Sequence, residues 1–209
     1  MLNANYIWYA SYGSNMCRER FLCYIQGGQP KGAMTNYDGC RDKSLPIAET
    51  IIVMKHDLYF AKSSRNWQNG GVAFIKTHSN SESTYGYMYL IKKEQFCDVA
   101  RQEIKSKTEI NLDFDQAVIS QNFIFRQDSM YGNLMFVGNN DNYPIFTLTN
   151  QFNLRSTTKP SVNYLKIIIA GLKETHKLSN PQITEYLLHK GGILESYTEV
   201  ELLQIINNT

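Results

Sequence analysis

Glu103 stands where a carboxylate is costly. In the stretch EQFCDVARQEIK, residues 94–105, Phe96, Val99 and Ala100 form one helical stripe, and Glu103 follows Val99 on the same face. A carboxylate turned towards a core is unfavourable unless it is paired or protonated. Desolvation raises its pKa, which is what a general base or acid working near neutral pH needs. The competing reading is a boundary glutamate that reaches solvent or pairs with Arg101 or Lys107. Asp98 and Glu94 fall elsewhere on the wheel and read as solvated.

The second chemical feature is Tyr12-Gly13-Ser14-Asn15, directly after the apolar run Tyr6-Ile7-Trp8-Tyr9-Ala10. As a plain turn it would use Gly13 for a positive φ and Ser14 or Asn15 as a helix cap. As a site it would offer successive bare N–H groups to a carboxylate or an oxyanion. Arg18 and Arg20 follow closely, either to meet an acidic group or to form a solvated helix face. Tyr9, Tyr37 and Trp67 read as core aromatics or as the wall of a pocket. Cys40 with His56 would make a nucleophile pair, but no third orienting group is visible. His78, His176 and His189 are scattered and read as surface or capping residues.

The elements that must carry these groups alternate early and become helical late. Strands are expected at 6–11, 51–54, 58–61 and 72–76, in TYGYMYLIK, in AVISQNFIFRQ, in MYGNLMFVGNN and in NYPIFTLTN. His56-Asp57 reads as a turn, QGGQPKG as a break, and the turn-rich segment 36–46 as a loop over the site that helps set specificity. Helices are expected at 14–25 and 94–105, then from the Pro160-Ser161 pair onwards, from Asn180-Pro181 to Leu188, and after an N-cap at Thr198. Leu202, Leu203, Ile205 and Ile206 read as a packing stripe, or as a dimer contact. This order predicts an α+β fold with a mixed or antiparallel sheet.

Composition narrows the classes. Charged residues are 19% of the 209 and the formal net charge is +2, with no basic stripe, so no nucleic-acid partner is expected. No apolar run reaches spanning length and the N-terminus lacks a leader's basic start, so no membrane association is expected. Cys17, Cys23, Cys40 and Cys97 show no metal-ligand spacing, and free thiols in a cytoplasmic protein are the expectation.

With those residues in place, the sequence resembles the γ-glutamylcyclotransferase family, which includes γ-glutamylamine cyclotransferases. The resemblance rests on Tyr12-Gly13-Ser14-Asn15 after a strand, on Trp67 with Gly70-Gly71 opening a strand, and on Gly86 leading without a gap to Glu103. It rests also on PSVNYLKIIIAGLKE, which aligns Tyr164 with an active-site tyrosine. Ser11 departs from the small apolar residue expected before the turn. The resemblance implies a small mixed β-barrel with flanking helices, spanning 1–178, and a C-terminal helical extension, 179–209, packed on the same domain. It implies a metal-independent lyase without a cofactor, acting on a small γ-glutamyl substrate as a monomer or homodimer. The substrate's own α-amine attacks its γ-amide and releases 5-oxoproline and an amine. Glu103 would be the base, and Tyr12, Gly13, Ser14, Asn15 and Tyr164 would bind substrate. The backbone at 13–15 would hold either the oxyanion or the substrate carboxylate. Alternatives for the same pocket are amide hydrolysis or acyl transfer, or a non-catalytic small-molecule-binding protein.

Overall fold

The central strand β1, Tyr6–Ser11, decides the architecture. It is almost wholly buried, so each face must be covered. Trp8 and Ala10 enter one core and Ile7 and Tyr9 the other, as the two-residue period of a strand requires. In the computed structural model, which describes residues 5–30 and 35–209, β1 lies inside a six-stranded sheet. The N-terminal start discussed above and part of the QGGQPKG break lie outside the described residues.

The other strands are β2 (Ala48–Met54), β3 (Leu58–Ser64), β4 (Gly70–Ile75), β5 (Thr84–Lys92), β6 (Asn122–Ile124), β7 (Asn133–Asn140) and β8 (Tyr143–Thr149). The sheet runs β2-β5-β1-β8-β7-β6. Among the described residues, the β1–β8 pair is the only parallel strand pair of this sheet. Strands β3 and β4 form a separate two-stranded ribbon. The fold is therefore α+β with a large mixed sheet, as expected.

Helices flank both faces. On one side lie α1 (Arg18–Gln26), α2 (Lys93–Glu103) and α3 (Phe114–Ser120), which bury Phe21, Phe96, Val99, Phe114 and Ala117 against Ile7, Tyr9 and Tyr89. On the other lie the ribbon and α4 (Val162–His176), with α5 (Asn180–Leu188) and α6 (Glu199–Asn207) behind. Leu165, Ile168, Ile169 and Leu172 of α4 share one core with Phe60, Phe74, Ile183, Leu187, Leu202 and Ile206. The C-terminal stripe thus packs inwards. Ser161 caps α4 by accepting from the Tyr164 N–H. Thr198 caps α6 by accepting from the Glu201 N–H.

Two elements differ from expectation. Residues 14–25 are not one helix: Ser14–Met16 make a 3₁₀ turn, extended Cys17 interrupts, and α1 begins at Arg18 with no side-chain cap. Ser14 and Asn15 use their side chains elsewhere. AVISQNFIFRQ is not one strand: its first four residues close α3, and only Asn122–Ile124 are extended. Asp113 caps that helix by accepting from the Gln116 N–H, and Phe114 and Ala117 bury one face. The β-branched pair Val118-Ile119, which suggested a strand, is exposed.

The ribbon's outer edge explains the glycine pair. A Cβ on Gly71 would lie 2.2 Å from the Thr158 carbonyl oxygen, and one on Gly70 would lie 2.5 Å from the Ser161 nitrogen. Bare backbone lets the segment leading into α4 press against β4, where the Gly71 N–H donates to Lys159 O at 2.9 Å. Further along, the Ala73 N–H donates to the Tyr164 hydroxyl at 3.2 Å and the Tyr131 hydroxyl donates to Ala73 O at 3.0 Å. Thr149 closes the row: its hydroxyl donates to Ile75 O at 2.6 Å and accepts from Ile75 N at 3.2 Å. An edge that would otherwise expose unpaired backbone is capped, and the same contacts set the position of Tyr164.

Gly71→Ala should therefore destabilise the fold by about 1–3 kcal/mol, the usual range for overpacking. Urea unfolding measures it. A midpoint equal to wild type would show that the segment 157–161 does not lie this close.

Candidate active site

The end of β1 delivers the Tyr12–Asn15 turn to the mouth of a cleft of about 1310 Å³. The cleft is lined by the turn, by Arg20 and Tyr24 of α1, by Tyr37 and Asp38, and by Trp67, Ala73, Glu103, Tyr131 and Tyr164. The sequence-derived candidates Tyr12, Gly13, Ser14, Asn15, Glu103 and Tyr164 all border this one space.

Gly13 is not in the left-handed region; its φ is −114°. Its bareness serves proximity, because a Cβ there would lie 3.0 Å from the Tyr164 hydroxyl. The 3₁₀ turn is held from below by the Tyr89 hydroxyl, which donates to Asn15 O at 2.9 Å. Tyr12 points its hydroxyl into the sheet, donating to Leu148 O at 2.7 Å, so that group anchors the turn.

Glu103 ends α2, half-buried in the cleft wall. Asn15 Nδ2 donates to its Oε1 at 3.1 Å, joining residues 88 apart in sequence. Burial pushes its carboxyl above the usual range. Hydrogen bonds from Tyr24 and Asn15 and the charge of Arg20 pull it part of the way back. Its place at a helix C-terminus, the negative end of the peptide dipoles, further disfavours the ionised form. Among the described residues no ion pair links it to Arg101 or Lys107. Arg101 lies near Asp98. Asp98 is the correction on this helix: it is 3% exposed, not solvated, and accepts from the Arg41 N–H at 2.9 Å. One turn later, Gln102 accepts from the Gly39 N–H at 3.2 Å and donates to Tyr24 O at 3.0 Å. The segment 36–46 is thereby fastened to α2, and its Asn36, Tyr37 and Asp38 reach the cleft.

Tyr164 is 3% exposed, packs tilted against Trp67 with centroids 4.6 Å apart, and has its hydroxyl pushed up to about 12 by burial. It is a neutral hydrogen-bonding group at physiological pH. The two arginines separate. Arg18 forms an ion pair with Glu49 at 2.9 Å. Arg20 turns into the cleft, 6% exposed, with its guanidinium carbon 4.9 Å from the centroid of the Trp67 ring. Tyr24 lies one turn further along the same face of α1. That spacing was the available signal for Tyr24, which the sequence reading did not single out. Cys40 and His56 do not form a pair. The Cys40 thiol is buried, donates to Tyr24 O and is pushed up to about 12, whereas the His56 ring bonds Lys76 O. Trp67, Tyr9 and Tyr37 all border the cleft. Among the described residues no group of three His, Cys, Asp or Glu side chains converges as metal ligands, and no helix is long and apolar enough to cross a membrane.

The raised Glu103 carboxyl has a consequence for stability. A carboxylic acid whose folded pKa is raised binds its proton more tightly folded than unfolded, so stability declines as pH rises from the ordinary value of 4.5 through the raised one. Above that window the charged group is a liability that Glu103→Gln removes. The variant should melt higher than wild type at pH 7.5, with the gap closing by pH 4. Calorimetric scans at the two pH values test this, and a gap of opposite sign would show that the ionised form is stabilised in place.

No family model matches the sequence. The chain is 35% identical over 202 residues to a protein of Arabidopsis thaliana named histone deacetylase 5. The match covers 87% of this chain and 30% of that protein, so the chain spans less than a third of the length of the curated relative it matches. A solved structure named gamma-glutamyl cyclotransferase superposes with a TM-score of 0.50 at 20% identity, covering 98% of this chain and 99% of that one. A Homo sapiens protein described as uncharacterized superposes with a TM-score of 0.52 at 19% identity, covering 97% and 99%. At these identities the likeness is one of fold: the chain shares the architecture of the structure named gamma-glutamyl cyclotransferase.

Proposed function

We propose that the chain is a γ-glutamyl cyclotransferase. It would act in the cytoplasm on a small γ-glutamyl amide, without a cofactor. The observation that carries this reading is Glu103: a carboxylate of raised pKa in a cleft wall, oriented by the side chain of the Tyr12–Asn15 turn.

The reaction makes three demands. The substrate's α-amine is mostly protonated at neutral pH, so a base must take a proton before it can attack. Glu103 takes it. Asn15 Oδ1, a buried acceptor with no partner among the described residues, stands on the amide that orients Glu103 and offers the amine a second acceptor. The amine nitrogen then bonds to the γ-carbonyl carbon. The carbonyl oxygen becomes anionic, and donors near Gly13–Asn15 stabilise it. Finally the bond from that carbon to the leaving nitrogen breaks as Glu103 returns its proton there. The carboxylate so freed takes the second proton of the attacking nitrogen and passes it to the departed amine, which leaves 5-oxoproline, its lactam neutral, and an ammonium. Because nucleophile and electrophile belong to one molecule, holding the glutamyl chain in a ring-closing pose supplies much of the acceleration. Trp67, Tyr37 and Tyr164 give that chain a rigid aromatic wall.

A second reading, hydrolysis of an amide in the same cleft, draws its support from the name of the Arabidopsis relative, a deacetylase. Water would then replace the internal amine and no 5-oxoproline would form.

Incubation with γ-glutamyl amino acids, γ-glutamyl amines and glutathione, with mass-spectrometric assay of products, decides between them. We expect 5-oxoproline, and a loss of about 10²–10⁴ in kcat for Glu103→Gln. A folded Glu103→Gln variant that keeps more than about a tenth of wild-type turnover would refute the base assignment. Free glutamate in place of 5-oxoproline would transfer the reaction to hydrolysis.

A further inference from the structure

Arg20 has five N–H donors in a fixed fork. Its Nε donates to Ser14 Oγ at 3.0 Å and its Nη2 donates to the Tyr37 hydroxyl at 3.1 Å. Both bonds lie along one edge of the guanidinium. The face of the group lies near Trp67 and Tyr37, at 4.9 and 5.9 Å from the ring centroids. The remaining nitrogen, Nη1, is buried in the cleft wall and meets no acceptor among the described residues. A cationic donor stripped of water and left unpaired is strongly unfavourable. No carboxylate among the described residues bonds it: Glu49 of β2 pairs with Arg18, and Asn15, not Arg20, bonds Glu103.

We propose that Arg20 is the carboxylate anchor of the cleft. Its free Nη1 edge takes one carboxylate of the ligand, with Ser14, Tyr37 and Trp67 fixing the guanidinium beforehand. The planar fork matches a carboxylate in a way that a lysine ammonium does not. The charge around the cleft agrees: cationic lining residues outnumber acidic ones six to three. This inference rests on the γ-glutamyl reading for the identity of the ligand. A γ-glutamyl amino acid carries two carboxylates that qualify, one on the glutamyl part and one on the leaving group.

The test separates binding from turnover. Isothermal titration of the wild-type protein with glutarate and with neutral glutaramide should show binding of the first only. Glutarate should bind Arg20→Gln at least tenfold more weakly, and Arg20→Lys in between. A structural role for Arg20 would alter melting without altering the preference for the charged probe. Should Arg20→Gln fail to fold, Arg20→Lys and the wild-type comparison carry the test. Equal glutarate affinity in wild type and variants, or equal binding of glutarate and glutaramide, overturns the proposal. KM values for a γ-glutamyl amino acid and a γ-glutamyl alkylamide then identify the source. A rise for both in Arg20→Gln assigns the glutamyl carboxylate, and a rise for the amino acid alone assigns the leaving group. If the titrations behave as expected while no 5-oxoproline forms from any substrate, the anchor stands and the cyclotransferase reading falls.

Discussion

The hydrogen bond from Asn15 to Glu103 holds only if three layers meet in register. Asn15 is placed by a strand buried on both faces, and Glu103 by the last turn of a helix lying on one of them. Helix α2 is pinned to the sheet by Phe96, Val99 and Ala100, all fully buried, so its C-terminal residue cannot drift far from the end of β1. The Tyr89 hydroxyl beneath the turn fixes the other partner. Preorganisation here comes from core packing. The polar contact reports it.

The opposite wall of the cleft is built by a different device. The ribbon β3–β4 meets the sheet through hydroxyl groups rather than through a continuous ladder. Tyr131, Thr149 and Tyr164 take up the backbone groups that a neighbouring strand would have bonded. Burial would make those unpaired groups expensive, and each hydroxyl can serve as donor or acceptor as needed. One of these structural hydroxyls, that of Tyr164, is also a cleft-lining group beside Gly13.

Much of this was readable from residue order. The buried strand running into Tyr12–Asn15, the α2 stripe ending at Glu103, and the caps at Ser161 and Thr198 follow from local periodicity and local hydrogen bonding. What failed depended on distant partners. Asp98 looked solvated because the wheel does not show that the segment around Arg41 folds back over it. The Val118-Ile119 pair looked extended because β-branched residues favour strands, yet an Asp113 cap made a helix that leaves both exposed. Arg20 and Arg18 were equivalent in sequence. Only the placement of Trp67 and Glu49 tells them apart. Gly13 and Gly71 were recognisable as special, but the reason is close approach of another segment rather than an unusual φ.

The meeting of Gly13, Ala73 and Tyr164 also bears on how such a chain can change over evolutionary time. One hydroxyl satisfies the Ala73 N–H and abuts the bare α-carbon of Gly13. Replacing the glycine pushes the phenol away and orphans a backbone donor on another element. Removing the hydroxyl orphans the same donor while opening room at the turn. The fitness effects of these three positions are therefore interdependent, and drift at any one is tolerated only when the others have already moved. Such a triad would be expected to change as a block or not at all, while Glu49, Arg18 and the exposed face of α3 vary freely around it.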